Sequence, residues 1–179
     1  IASLERLSTT TGKKKLAVVD AKLAELTEDR DFRGRIAAIL AEVRAQGYED
    51  VFIAEAMVPE MRLELTGETG CSTTLDSLHI RRGSDDRALA ADIVPMSTGW
   101  NTSKRFWMLL GWCCHVREIG WGGMFGLTPA HAKELVAAME RLSAKGWPDG
   151  HDPDYEVAIG WEEAHCQIDI YWPGCGAKS

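Results

Sequence analysis

Ala88-Leu89-Ala90-Ala91-Asp92-Ile93-Val94-Pro95 is the stretch from which the rest of this chain is best read. Its apolar run ends at a proline, which cannot donate to a sheet ladder, and that pattern predicts a buried strand. Asp92 is the exception inside it. An unpaired charge in such a run is costly to bury, so Asp92 needs a partner, and a metal ion is one.

Upstream, Arg81 to Arg87 is polar and charged, and Ser77-Leu78-His79 precedes it. Thr66 to Thr74 holds two glycines among Thr and Ser and predicts a loop. Met61 to Leu65 predicts a short helix, and Val51 to Ala54 a strand. Residues 13–27 and 31–46 have helical texture. In the second, Phe32, Ile36, Ile39, Leu40 and Val43 share one face, and Gly47 stops the helix.

Downstream, Ser97 to Asn101 predicts a turn. Ser103 to Ile119 predicts a helix with Phe106, Leu109, Leu110, Cys113 and Val116 inward. Trp121 to Phe125 reads as a short strand or extended segment. Thr128-Pro129 reads as an N-cap and first helical position, opening a helix to about Lys145. Pro148 to Asp154 is a polar loop. Cys166 to Trp172, with Ile168, Ile170 and Trp172 alternating against polar residues, predicts a closing strand. Helices and short strands that do not alternate regularly imply an α+β fold with a small, mostly antiparallel sheet packed with helices. Residues 1–30 read as a helical extension and 31–179 as the domain proper.

The composition is 45% hydrophobic and 26% charged, which supports a globular core. A net charge of −7 repels phosphate backbones and argues against a nucleic-acid partner. No run reaches the roughly 18 apolar residues of a membrane span. Ile1 to Thr11 does not read as a signal peptide, and a chain starting without Met fits a trimmed leader. The five cysteines, Cys71, Cys113, Cys114, Cys166 and Cys175, form no regular framework and no CxxC. The expectation is reduced thiols, some buried, with one disulfide as the alternative. Cys166 is expected in the core, facing away from its neighbour His165. His115 is expected to be structural, and His131 and His151 solvated.

Trp161-Glu162-Glu163-Ala164-His165 supplies the remaining chemistry. Two imidazoles and a carboxylate can hold Zn²⁺ with a position open to water, and a second carboxylate can take a proton from that water. HExxH is absent, so the helical zinc-protease pattern does not apply. Trp161, beside the base, is a candidate wall of a substrate cleft.

Taken together, Ser77-x-His79, Ala-Ala-Asp-Ile-Val-Pro, the later Trp-Gly-Gly and the terminal acid-x-x-His resemble the zinc D-Ala-D-Ala carboxypeptidase and L-alanyl-D-glutamate endopeptidase family. Phage endolysins belong to that family, and the resemblance spans roughly residues 31 to 172. It implies a hedgehog/DD-peptidase-like architecture. It also implies His79, Asp92 and His165 as zinc ligands and Glu162 as catalytic base. Glu163, Asp85 and Asp86 rank below these.

By the same resemblance the substrate is a peptidoglycan stem peptide, with L-alanyl-D-glutamate endopeptidase action first. D-Ala-D-Ala carboxypeptidase or dipeptidase action, or a non-catalytic zinc-containing cell-wall module, are the alternatives. The implied protein is a monomer acting in the periplasm or wall, delivered after leader trimming or through a phage-encoded pore. Two departures stand out. His79 and Asp92 are thirteen positions apart, an interval lengthened by the Arg81–Arg87 stretch. Met57 falls where the family often has an arginine, leaving Arg62, Arg81, Arg82 or Arg87 as substitutes.

Overall fold

A computed structural model describes residues 22–56 and 83–168. The fold is α+β. Within the described residues a four-stranded antiparallel sheet packs with three helices. The strands are β1 (Val51–Glu55), β2 (Ala90–Pro95), β3 (Gly120–Trp121) and β4 (His165–Gln167). The helices are α1 (Phe32–Ala45), α2 (Lys104–His115) and α3 (Pro129–Ala144).

The helices form where the periodicity predicts them. α1 buries Phe32, Ile36, Ile39, Leu40 and Val43. Each such side chain contributes about 1.5–3 kcal/mol of transfer free energy. Ser103 caps α2 by accepting a hydrogen bond from the Phe106 amide. Thr128 Oγ1 does the same for the His131 amide at 3.2 Å, with Pro129 opening α3. α1 packs on β1 and on α2, and α2 packs on β3 and α3. Gly111 makes the approach of α2 to β3 possible, because a Cβ there would stand 2.4 Å from the Trp121 ring.

Two expectations for α2 need correction. The helix ends at His115, not Ile119, and Val116 is 50% exposed instead of inward. Glu118 turns left-handed, with φ 55°. The Ile119 amide then bonds the Cys114 carbonyl at 2.9 Å and the Glu118 amide bonds the His115 carbonyl at 3.2 Å. These are the paired bonds of a Schellman stop, which swings Val116 out of the core line.

Elsewhere the boundaries are refined. Trp121 to Phe125 is one strand residue followed by a 3-10 turn, Gly122–Met124. Another 3-10 turn, Pro153–Glu156, closes the polar loop. Of the helix expected over 13–27, only 22–27 is described. Lys22 and Leu23 are helical, and the chain then turns so that Leu26 bridges Ala88. Leu26 is fully buried. The Asp85 carboxylate accepts from Thr27 Oγ1 and the Glu28 amide, each at 2.8 Å, and fastens this segment to the approach to β2. The short helix at 61–65, the loop at 66–74 and the closing strand beyond 168 lie outside the described residues.

The sheet order is β1-β2-β4-β3. β4, the last of the described strands, lies between β2 and β3 and pairs with both. Among the described residues no helix is long and apolar enough to cross a membrane.

Candidate metal site

In β2 every residue but Asp92 is buried, and the Asp92 side chain is 17% exposed. The β2/β4 register sets Asp92 directly opposite His165, so the two side chains share a sheet face. Asp92 Oδ1 and His165 Nδ1 are 3.4 Å apart. The other ring nitrogen, Nε2, lies 3.0 Å from Oε1 of Gln167, two residues on and on the same face. Gln167 is fully buried and His165 nearly so.

The opposite face is set by Cys166. Its sulfur lies 3.5 Å from that of Cys114 on α2, so α2 covers the far side of the sheet. Cys166 is a core residue turned away from His165, as alternation requires, and Cys113, Cys114 and Cys166 are all free thiols. Burial pushes the Cys114 thiol up, against ionisation.

Glu162 approaches through a turn. The His165 amide donates to the Glu162 carbonyl at 3.0 Å, closing residues 162–165 into a β-turn. That geometry keeps the first and last Cα within about 7 Å. The turn is clamped from several sides. The Glu162 amide bonds the Gly122 carbonyl at 3.4 Å, and the Gly160 amide bonds the Gly123 carbonyl at 2.5 Å. Trp121 Nε1 donates to the Glu163 carbonyl at 2.6 Å. Lys104 Nζ donates to the Val157 carbonyl at 2.6 Å, and burial lowers its pKa. Gly122 is required here, because a Cβ would fall 2.0 Å from the Glu162 carbonyl oxygen.

An aromatic run leads out of the site. The Phe125 ring is 5.7 Å from the His165 ring, and the Trp161 ring meets Phe125 edge-on at 6.1 Å. Phe125 is buried whereas Trp161 is 47% exposed.

Of the four predicted site residues, Asp92 and His165 meet side chain to side chain, and Glu162 is joined to His165 through a backbone hydrogen bond. His79 lies outside the described residues, as do Met57, Arg62, Arg81 and Arg82. Arg87 donates to the Ala24 carbonyl. The rival ligand Asp85 is engaged by Thr27 and Glu28. His115, His131 and His151 are exposed. The β1/β2 register adds Glu55 opposite Asp92, a neighbour that strand prediction alone does not identify. Gln167 is likewise invisible in the sequence until His165 is placed beside it.

One carboxylate oxygen and one imidazole nitrogen converging from adjacent strands fit two positions of a zinc donor set. Among the described residues no three His, Cys, Asp or Glu side chains converge. His79, the third ligand that the sequence resemblance implies, lies outside the described residues. Comparisons with protein-family models, with curated proteins and with solved structures found no match.

Proposed function

We propose that this chain is a zinc-dependent peptidoglycan peptidase that hydrolyses a stem-peptide bond involving D-amino acids, with L-alanyl-D-glutamate endopeptidase action first. The observation that carries the reading is the facing pair Asp92 and His165, 3.4 Å apart, with Glu162 on the turn that leads into His165. The order of the sequence motifs adds His79 as the third ligand.

Bound Zn²⁺ supplies a polarised, readily deprotonated water. The chain's own residues do the rest. Asp92 and His165 hold the cation from two hydrogen-bonded strands, which keep ligand geometry better than loops do. The Glu162 carboxylate accepts the proton of the attacking water and returns it to the leaving amine. Trp161, half-exposed at the end of the aromatic run, offers an apolar wall for the peptide. Such a substrate places the protein's action in the periplasm or cell wall.

The test combines metal analysis with mass spectrometry of digested peptidoglycan. About one zinc per chain and released stem-peptide fragments are expected, and fragment masses name the bond. Free D-Ala with a stem peptide one residue shorter would select the carboxypeptidase alternative. Zinc without fragments would select a non-catalytic wall-binding module. No zinc after reconstitution would sink the reading. Glu162→Gln is expected to keep zinc and lose at least about 100-fold in turnover; full turnover would remove Glu162 as the base.

A further inference from the structure

On the face of the sheet that α2 covers, two thiols meet. Cys166 of β4 and Cys114 of α2 are both fully buried. They are 52 positions apart along the chain, and their sulfurs are 3.5 Å apart. Both elements build this contact. In the sheet, Cys166 is flanked by Ala91 of β2 and Trp121 of β3, its direct partners in register. On α2, Gly111 lies one turn before Cys114 and on the same helix face. Gly111 meets the Trp121 ring, where a Cβ would stand 2.4 Å away. The missing side chain at Gly111 and the short one at Ala91 let α2 settle close to the sheet, and the two sulfurs touch. Cys113 does not share this contact. It is turned about 100° round the helix and lies beside Glu42 of α1.

We propose that Cys114 and Cys166 are a modification site, at which a small dialkyl disulfide oxidises the pair to a cystine that ties α2 to β4. Bonded sulfurs stand about 2.05 Å apart, so about 1.5 Å remains to close, a gap that rotation of the two side chains spans. The chemistry is thiol–disulfide exchange. The thiolate of one cysteine attacks a sulfur of the external disulfide, breaks its S–S bond and releases one small thiol. The thiolate of the other cysteine then attacks the mixed disulfide and releases the second small thiol. The two cysteines give up two protons and two electrons, and the external disulfide takes them up as two thiols. Native packing favours the closing step because it already holds the second sulfur against the first. Both sulfurs are sealed in the finished fold, so exchange takes place as the reduced chain folds, before α2 closes over β4. The site follows from packing alone and stands apart from the peptidase reading. A periplasmic or wall location would add the oxidising surroundings in which such bonds persist.

The experiment refolds the reduced, unfolded full chain in a buffer of oxidised and reduced glutathione. Remaining thiols are blocked, and the chain is cleaved at basic and acidic residues. Asp169 lies between Cys166 and Cys175, so cleavage there separates those two. Tandem mass spectrometry then places the bond on Cys113 or on Cys114. The expected product joins Cys114 to Cys166, and Cys113→Ala is expected to keep it. The oxidised protein is expected to melt roughly 5–15 °C above its reduced form. Cys114 and Cys166 both recovered as blocked free thiols would overturn the proposal. So would Cys166 bonded to Cys71, Cys113 or Cys175, or loss of the bond in Cys113→Ala. A Cys114–Cys166 bond with no rise in Tm would show that it forms only in a distorted chain, and would overturn the tie between α2 and β4.

Discussion

Asp92 and His165 each sit where chemistry and packing disagree: one is a carboxylate in an apolar strand, the other a nearly buried imidazole. Asp92→Ala is expected to weaken zinc binding at least about 100-fold, measured by chelator competition. Binding within about twofold of wild type would remove Asp92 from the ligand set. Gly122 answers to sterics alone. Gly122→Ala must push the Glu162 turn aside and is expected to destabilise the fold by about 1–3 kcal/mol in urea unfolding. The thiols make the opposite kind of prediction. With burial holding Cys114 protonated, Cys113, Cys114 and Cys166 should resist alkylation in the native protein and react only on unfolding. Rapid native labelling of Cys166, followed by peptide mapping, would contradict its place against α2. At this scale the sequence exposes Asp92 and His165 because they break or end apolar patterns. Gln167 breaks none, since a polar residue in an alternating strand is ordinary until its neighbour is known.

The helices were legible as elements because their apolar spacing and capping residues agree, as Thr128-Pro129 and Ser103 show. The end of α2 was not. Val116 continues the three- and four-residue spacing from Leu109 and Cys113, so periodicity alone carries the helix onward. The stop is made by Glu118 adopting φ 55°, a conformation with no sequence signature in a glutamate. Glu118→Gly should relieve that strain and raise stability by about 1 kcal/mol by chemical denaturation. A loss of stability would argue against the left-handed stop. The Glu-x-x-His segment is a turn feeding a strand. The three-residue spacing permits either a helix or a turn, and the bond from the His165 amide to the Glu162 carbonyl decides for the turn.

At the scale of the molecule, charge ties the polar loop to the third helix. Arg141 of α3 and Lys145, just past its end, hold Asp154 at 2.7 and 2.9 Å and keep its carboxyl down at about 2. A depressed carboxylate contributes stability that is fully present above its unfolded value, near 3.8, and is lost as pH falls through about 2. The pairs are open to solvent, so about 1 kcal/mol is expected after screening. Urea midpoints taken from about pH 5 to 2 should fall for the wild type, and fall by that much less for Asp154→Asn. Equal slopes would remove this contribution.

The sequence by itself determined the α+β class, the amphipathic faces of α1 and α3, and the identity of the residues with unusual chemistry. These follow from local rules: periodicity, capping, and the cost of a charge in an apolar run. Only the tertiary structure decided that β4 enters between β2 and β3, and with that register that Asp92 faces His165 while Gln167 grips its other nitrogen. Asp92 and His165 are far apart along the chain. Their pairing depends on backbone hydrogen bonds and burial gathered from the whole domain, and no short stretch of residues encodes that register alone.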